Sequence, residues 1–428
     1  MTRARRRRVV VTGLGATTPL GGDVTSTWEA MVRGDSGVRL LDAPWVTEVP
    51  FPLGAPVLVE PGPALAPVQR RRLDRCGQLA VTAAVEAWRD SGLADVPVPP
   101  DRIGVAVSTA MGGMTTLIDG YETWKARGWS RIYPVAIPMM MLNGPAAAVG
   151  LLLNARAGTH ATVSACASGT QAIAMAADII RNGLADVVVA GGADAPIHPL
   201  VLSGFSVMRA LSQRVADPAL ASRPYDADRD GFILAEGAGV LVLEADEHAR
   251  RRGARIYAEL AGAGITSDAY HMVQPEPTGL GNATAIRMSL ADAGVAAADI
   301  THVNANAAST VPGDAAEARA LLAVFGDATA GPAVTANKSM TGHSLGAAGA
   351  IESIATVLAI HHGVIPATIN FARPDRDLVI DVVHGAPRKL VGDEIIAVKN
   401  SAGFGGHNVA LTFRGVPAES ARTALSVQ

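Results

Sequence analysis

Short apolar runs alternate with longer alanine-rich segments along most of the chain. Continuous apolar runs at 9–15, 103–109 and 185–192 predict strands, and the segments 76–91 and 165–182 between them predict helices. Strands that are apolar at every position are typical of sheets covered by helices on both faces. The pattern therefore predicts an α/β fold.

The same alternation restarts near residue 255, with a strand predicted at 256–267 and a helix at 282–293. This repetition predicts two similar halves, 1–254 and 255–416. The remaining segment, 417–428, is predicted to be a frayed tail.

Composition narrows the class of protein. The chain has 428 residues, of which 49% are hydrophobic and 18% charged, and its net charge is −3. No general attraction to nucleic acid or to a membrane is expected from that charge. The two cysteines, Cys76 and Cys166, are too few for a disulfide framework, so a cytoplasmic protein is expected. Neither a CxxC nor an HExxH motif occurs, so no metal site is predicted.

Cys166 is the strongest candidate nucleophile. It ends an apolar stretch and opens a predicted helix whose first turn holds small residues, in the segment VSACASGTQA. The N–H groups and the dipole of a helix start stabilise a thiolate and can also bind an oxyanion. The pattern therefore predicts a reactive thiol of lowered pKa at Cys166. Cys76, inside a helix, is predicted to be inert.

Four segments together carry a family resemblance: VSACASGTQA, SRPYDADRDGFILAEGAGVLVLE (222–244), NKSMTGHSLGAAGAIE (337–352) and NSAGFGGHN (400–408). They resemble the β-ketoacyl-acyl carrier protein synthases, the elongating ketosynthases of fatty-acid and type II polyketide systems. The likeness covers nearly the whole chain. It implies a thiolase fold, with duplicated βαβαβαββ halves in a five-layered αβαβα arrangement.

The resemblance implies a role for each matching residue. Cys166 would take an acyl chain from a carrier protein as a thioester. The N–H groups of Cys166 and Phe404 would form the oxyanion hole, and Phe404 would also gate the acyl pocket. His343 would hydrogen-bond the carbonyl of a malonyl-type thioester as it loses CO₂. Lys338 would orient this region, with Glu352 as a supporting acid.

One segment departs from the family pattern V-N-A-H-G-T-S-T, because residues 303–310 read VNANAAST. Asn306 stands where the first catalytic histidine is expected. Ala308 stands where a threonine would bind the phosphopantetheine arm, and Thr310 remains for that role. An asparagine cannot exchange a proton near neutral pH, but its NH₂ group can donate a hydrogen bond to a carbonyl or enolate oxygen.

Three functions remain open at this point. Decarboxylative condensation would persist if Asn306 replaces the histidine as a donor. Acyl transfer, or an intramolecular aldol or lactone-forming cyclisation, would remain if decarboxylation is lost. The third alternative is a non-catalytic chain-length subunit of a heterodimer, although such subunits typically lack the cysteine that is present at position 166.

Further departures concern the acyl pocket. Ala402 stands where a second aromatic gate residue is frequent, which implies a wider entrance to Cys166. Met139, Met140 and Met141 match the segment that reaches the partner's acyl pocket in the family, and Met111 matches its floor. Methionine adapts to irregular apolar shapes, so an unusual acyl group and specialised metabolism are predicted.

The resemblance also implies partners. Carrier proteins are acidic and need a basic docking patch, for which Arg71, Arg72, Arg131 and Arg209 occupy matching positions. No covalently bound cofactor is expected, because substrates would arrive on the phosphopantetheine of an acyl carrier protein. A homodimer is implied, or a heterodimer with a chain-length subunit.

Overall fold

The computed structural model describes residues 6–61, 65–326, 331–375, 378–392 and 394–416. The predicted frayed tail, 417–428, lies outside these residues. The described strands are β1 Val9–Thr17, β2 Arg39–Leu40, β3 Leu53–Gly54, β4 Ile103–Ser108, β5 Thr159–His160, β6 Val187–Asp194, β7 Gly237–Ala245, β8 Ala258–Ser267, β9 His302–Asn304, β10 Ala333–Thr335, β11 Val364–Ile365, β12 Arg388–Lys389, β13 Ile396–Gly403 and β14 His407–Arg414.

The described α-helices are α1 Val24–Arg33, α2 Pro67–Arg71, α3 Arg75–Asp90, α4 Met114–Arg127, α5 Ala136–Met140, α6 Gly144–Leu153, α7 Ser168–Arg181, α8 Pro199–Val207, α9 Asp246–Arg251, α10 Leu280–Ala293, α11 Val311–Phe325, α12 Lys338–Thr341 and α13 Ala348–His362. Short 3-10 helices occur at Val46–Glu48, Leu93–Asp95, Pro100–Arg102, Trp129–Arg131, Ala165–Ala167, Pro218–Leu220, Ala297–Asp299 and Leu345–Ala347.

The main sheet repeats one topology twice. Its first half has the strand order β5-β4-β6-β7-β1, and its second half has the matching order β10-β9-β13-β14-β8. In each half the first three strands are parallel, and the last two pair antiparallel. Strands β1 and β8 pair antiparallel and join the halves, with Val10 opposite Glu259 and Val11 opposite Ala258. The duplicated α/β architecture is confirmed, whereas the boundary at 254/255 stays a prediction.

The helices form three layers around the two halves of the sheet. Helices α3 and α6 cover the outer face of the first half, and α10 covers that of the second. Helix α11 packs on the same outer face, where Ala318 and Leu321 share one buried cluster with Val303 of β9 and Val398 of β13. Between the halves lie α7 and α13, which contact each other and strands of both halves. This is the αβαβα order of the thiolase fold.

Burial explains the apolar composition of the inner strands and of the central helix α13. Strands β1, β6 and β7 are buried at every position, as expected for strands between two helix layers. The segment Leu345–His362 is long and apolar enough to cross a membrane, but 89% of it is buried inside the protein. It is therefore accounted for as a helix of the core.

His302 in β9 leads to a prediction about acid stability. The side chain is fully buried, and neither ring nitrogen has a hydrogen-bond partner among the described residues. Burial lowers the pKa of His302 from 6.5 to about 3. The unfolded chain therefore binds the extra proton as the pH falls below 6.5, whereas the folded protein does not. Stability should fall with pH from this cause.

Between pH 7 and pH 5 the free energy of unfolding should decrease in both proteins. We expect the decrease to be about 2 kcal/mol smaller in His302→Leu than in the wild type. Urea unfolding of both proteins at the two pH values measures this difference. Equal losses in the two proteins would contradict this prediction. They would show that His302 has the same pKa in the folded and the unfolded protein.

Candidate active site

A cavity of about 270 Å³ collects residues from both halves of the chain. Its walls include the following residues that the sequence singled out: Cys166, Arg209, Asn306, Thr310, His343, Ala402 and Phe404. They come from the start of α7, the loops after α8 and β9, the segment between α12 and α13, and the turn between β13 and β14. The fold thus brings together side chains that are up to 238 residues apart in the sequence, from Cys166 to Phe404.

Cys166 lies in a tight turn that leads into α7. It is the middle residue of the 3-10 helix Ala165–Ala167, and Ala165 has a φ of 49°. The left-handed region is unfavourable for alanine, so the surrounding structure must hold this turn. The turn places the Cys166 side chain at the cavity wall.

The turn after β13 approaches this cysteine closely through Gly403. A Cβ atom at Gly403 would lie 2.5 Å from the carbonyl oxygen of Ser164 and 3.0 Å from the backbone nitrogen of Cys166. Glycine is therefore required at this contact. The close approach brings the N–H of Phe404 to the thiol, which also accepts from its own N–H. The two N–H groups expected to form an oxyanion hole thus point at one sulfur.

Gly403→Ala should damage the site because the added methyl group meets backbone atoms that cannot move independently. We expect acyl loading of Cys166 to slow roughly tenfold or more, since displacements of about 1 Å are costly at reacting centres. The control is Gly204→Ala in α8, where an added Cβ would meet nothing within 4 Å. Intact-mass spectrometry over time measures both variants, and equal loading rates would show that the close contact is dispensable.

The pKa of the Cys166 thiol is raised, whereas the sequence predicted a lowered pKa. Burial raises the pKa of Cys166 to about 11, against the lowering by the Lys338 cation and by the N–H groups of Phe404 and Cys166. The sequence-based expectation was therefore wrong in direction. The local helix start contributes as predicted, but removal of the sulfur from water outweighs it. The resting thiol is protonated at neutral pH.

Asn306 lies just beyond β9 and is held from behind by Glu317 of α11. The backbone N–H groups of Asn306 and Ala307 each donate to this carboxylate at 2.7 Å. On the other side, Nζ of Lys338 donates to the carbonyl oxygen of Asn306 at 2.7 Å and lies 3.4 Å from its Oδ1. The loop is therefore fixed by charged groups on two sides.

The contact with Lys338 decides which way the Asn306 amide faces. An ammonium group has only donors, so the amide must turn its oxygen toward Lys338. Its NH₂ group then faces away from Lys338, and Asn306 lines the same cavity as Cys166 and His343. The side chain is arranged as a neutral hydrogen-bond donor.

His343 is a second neutral group at the cavity. Its backbone N–H donates to the carbonyl oxygen of Ile233 at 2.7 Å, and its ring packs edge-on against Phe232 at 5.3 Å between centroids. Burial, together with the cations Lys338 and Lys399, holds the pKa of His343 well below its usual range. A neutral imidazole has one N–H donor and one acceptor nitrogen.

Behind these residues lies a buried ion-pair cluster. Glu352 accepts from Nζ of Lys338 at 2.6 Å through Oε1, and its Oε2 lies 2.8 Å from Nζ of Lys399. All three side chains are at most 2% exposed. The sequence analysis named Lys338 and Glu352 but missed Lys399. The signal available in the sequence was a lysine that directly follows the apolar run IIAV.

Asp194, at the end of β6, was also missed. Its carboxylate is fully buried and accepts from the backbone N–H groups of Ala110, Met111 and Gly346 and from the Thr109 hydroxyl. Burial raises the pKa of Asp194 to about 6. It ties the loop after β4 to the segment that follows His343. The signal available in the sequence was an acidic residue ending the apolar run ADVVVAGGAD.

Apart from Arg209, the remaining predicted pocket and docking residues are not part of the cavity wall. Met111 packs with Cys166 and Phe205 in one apolar cluster. Met139 and Met140 are half-buried and Met141 is exposed, at the end of α5. Arg71, Arg72, Arg131 and Arg209 are all exposed, and Arg209 also lines the cavity. Their predicted roles stay predictions.

Comparison with known proteins identifies the family of the chain. The N-terminal domain of beta-ketoacyl synthases matches residues 6–249, and the C-terminal domain of the same family matches residues 257–372. The chain is similar to 3-oxoacyl-[acyl-carrier-protein] synthase 2 of Mycobacterium bovis, with 43% identity over 95% of this chain and 96% of that protein. The corresponding protein of Mycobacterium leprae is 42% identical over the same shares.

Solved structures show the same likeness. A beta-ketoacyl synthase from Burkholderia phymatum superposes with a TM-score of 0.88 at 34% identity, covering 96% of this chain and all of that one. A ketosynthase chain from the AntDE:AntF complex, described as a type II PKS acyl-carrier protein with its ketosynthase bound to the hexaketide, superposes with a TM-score of 0.87 at 33% identity over the same shares. The chain belongs to the β-ketoacyl synthase family, whose enzymes are acyltransferases of the thiolase fold.

Proposed function

We propose that this chain loads an acyl group from acyl carrier protein onto Cys166 and extends it by decarboxylative Claisen condensation. The observation that carries the proposal is the single cavity that contains the thiol, the Asn306 amide and the His343 ring. A nucleophile and two neutral donors are the groups that this reaction requires.

The reaction balances as two steps. In loading, the Cys166 sulfur attacks the acyl thioester, the carrier thiol leaves and takes up the thiol proton. In condensation, a malonyl thioester loses CO₂, and the electron pair of the broken C–C bond forms an enolate. The enolate carbon attacks the acyl carbonyl, a C–C bond forms, and Cys166 leaves as a thiolate that is protonated again.

Asn306 and His343 are assigned to the enolate oxygen. That oxygen becomes negative as CO₂ leaves, and preorganised donors in a dry cavity stabilise such charge. Both residues are neutral, so neither has to lose or gain a proton during decarboxylation. The replacement of a histidine by Asn306 therefore removes proton exchange but retains one donor. This retained donor favours condensation over non-decarboxylative transfer or cyclisation.

Carrier-protein docking is assigned to the exposed arginines Arg71, Arg72, Arg131 and Arg209. Arg209 also lines the cavity, so an acidic partner bound there would lie at the entrance to Cys166. Thr310 lines the cavity as well and is assigned to the phosphopantetheine arm, which carries the substrates. No further cofactor is proposed.

Dimerisation through α4, α5 and α6 is part of the proposal. Exposed apolar side chains cluster along this segment: Leu117, Tyr121, Trp124, Trp129, Ile137 and Leu151. Contiguous exposed apolar surface of this kind marks protein–protein contacts. A second copy of the chain is the proposed partner, with Met139, Met140 and Met141 reaching its acyl pocket and Met111 at the pocket floor. A chain-length subunit is the alternative partner, as in the ishigamide ketosynthase/chain length factor.

The substrate is proposed to be an unusual acyl chain of specialised metabolism, in the cytoplasm. Ala402 lines the cavity together with Phe404, and its small side chain stands where a second aromatic gate would narrow the entrance to the thiol. Both cysteines are free thiols, which suits a reducing compartment.

The test is incubation of the purified protein with acyl- and malonyl-loaded carrier protein, followed by intact-mass spectrometry. The mass of the protein reports loading of Cys166, and the mass of the carrier reports conversion of malonyl to acetyl and formation of the β-ketoacyl product. Loading with CO₂ loss and extension is the expected result. Loading without CO₂ loss would instead indicate acyl transfer or cyclisation, and the absence of loading would leave the non-catalytic subunit.

A further inference from the structure

Lys399 is a buried cation that the proposed reaction does not use directly. The chain contains only four lysines, Lys125, Lys338, Lys389 and Lys399, against 32 arginines. Lys125 and Lys389 are exposed, whereas Lys338 and Lys399 are buried against the same carboxylate. Burying a lysine costs desolvation free energy. For two lysines beside one carboxylate, this desolvation cost exceeds the favourable interaction with the carboxylate.

The position of Lys399 on β13 explains where its charge acts. Alternate residues of this strand face opposite layers: Ser401 bonds Thr170 of α7 on the central side, and Asn400 donates to Glu317 of α11 on the outer side. Lys399 shares the central side with Ser401 and reaches Glu352 of α13 there. Its Nζ also donates to the carbonyl oxygen of Asn400.

The charged groups around Lys399 are therefore unequally distributed. On the central side two cations, Lys338 and Lys399, share the single carboxylate Glu352. The other carboxylate, Glu317, lies on the outer side of the strand, where it is already bonded to Asn400 and to the loop that carries Asn306. The central side of the strand thus carries two cations against one carboxylate, whereas Glu317 lines the cavity from the outer side.

We propose that Lys399 is a positioning residue that neutralises Glu352 and so leaves the charge of Lys338 free to act on Asn306 and Cys166. Without Lys399, Glu352 would compensate Lys338 alone. The Asn306 amide, whose oxygen faces Lys338, would then be a weaker donor, because the cation that polarises it would be screened. Lys399 in this way offsets the missing histidine. The inference rests on the function proposed above for its chemical meaning.

The charge of Lys399 depends on pH in the working range. Burial, and the neighbouring Lys338 cation, lower the pKa of Lys399 to about 8, although Glu352 and Glu317 oppose the shift. The side chain is a cation at pH 7 and loses its proton as the pH rises through 8. His343, the remaining titratable neighbour, is neutral throughout because its pKa is held low.

The test compares the wild type with Lys399→Met, which keeps the length of the side chain without its charge. Iodoacetamide is uncharged, so its rate of reaction with Cys166 reports the thiolate fraction in the substrate-free protein. We expect alkylation of the variant at pH 7 to be slower by about threefold or more, since Lys338 lowers the pKa of the thiol less when Glu352 screens it. Above pH 9 the two rates should converge, because Lys399 is then neutral in the wild type.

Two controls accompany this comparison. Lys389→Met removes an exposed lysine by the same substitution and should alkylate like the wild type. Cys166→Ala gives the background from Cys76, which is fully buried. Thermal unfolding should show Lys399→Met to be as stable as the wild type or more stable, because a charge buried at a cost has been replaced by an apolar chain.

A second measurement links the charge to the reaction. Release of CO₂ from malonyl-loaded carrier protein should be about tenfold slower in Lys399→Met. If the wild type releases no CO₂, the proposed function is wrong, and alkylation still decides the role of Lys399. Equal alkylation rates at pH 7 would overturn the inference. So would equal slowing at every pH together with lower thermal stability, which indicates a structural role.

Discussion

Cys166→Ala is expected to abolish acyl loading while malonyl-loaded carrier protein still loses CO₂. In the proposed reaction the sulfur forms the thioester, so its removal should lower loading by roughly a thousandfold or more. In the proposed reaction decarboxylation depends instead on the donors Asn306 and His343, which the substitution leaves in place. The two steps of the proposed reaction should therefore separate in this variant.

Cys76 offers no replacement nucleophile. It is fully buried in α3, and burial raises its pKa well above the usual value for a thiol. The measurement is intact-mass spectrometry of wild type, Cys166→Ala and Cys166→Ser after incubation with acyl-loaded carrier protein. The serine variant keeps the volume and tests whether sulfur is needed. Loading of the alanine variant at the wild-type rate would place the nucleophile elsewhere.

Asn306→Ala is expected to slow CO₂ loss by about a hundredfold, because one preorganised donor to the enolate oxygen is removed. Loading of Cys166 should change little, since the oxyanion donors proposed for that step are the N–H groups of Cys166 and Phe404. The carbonyl oxygen of residue 306 stays available to Lys338. The expected signature is therefore a defect confined to decarboxylation.

Asn306→His is the matched variant. Lys338 has only donors, so the ring nitrogen nearest to it must accept, and the other ring nitrogen then carries the hydrogen. We expect this variant to release CO₂ at least as fast as the wild type. Rates of CO₂ release and of loading, measured on the same preparations, decide the question. An alanine variant as fast as the wild type would show that Asn306 is not a donor in the reaction.

Much of the fold could be predicted from the sequence because its strands are buried on both faces. Strands β1, β4 and β6 lie where continuous apolar runs were found, and α3, α7 and α10 lie where helices were predicted. Helix α4 was not predicted from the sequence. None of its residues is buried, so its apolar side chains do not recur at the helical spacing that marks a buried face. Strand β5 has two residues and β10 has three, which is too short for any period to show.

In the candidate site, the sequence identifies several residues, but only the structure shows their contacts. Cys166, His343 and the altered residue Asn306 stand in local segments long enough to identify them without a structure. The direction of the Asn306 amide depends on Lys338, and the partners of Glu352 depend on how β13 packs against α13. Asn306 and Lys338 are 32 positions apart in the sequence, and Glu352 and Lys399 are 47 positions apart. Contacts over such separations cannot be derived from local sequence.

The sequence alone thus determined the family and the duplicated α/β pattern and singled out the candidate nucleophile Cys166, because each of these follows from local periodicity or from contiguous motifs. Tertiary structure decided the electrostatics. The helix start before Ser168 favours a thiolate, yet the surrounding layers remove Cys166 from water and raise the pKa of its thiol. The same layers bring Lys399 to Glu352. Burial and charge at a site depend on all the atoms around it, and those atoms come from distant parts of the chain.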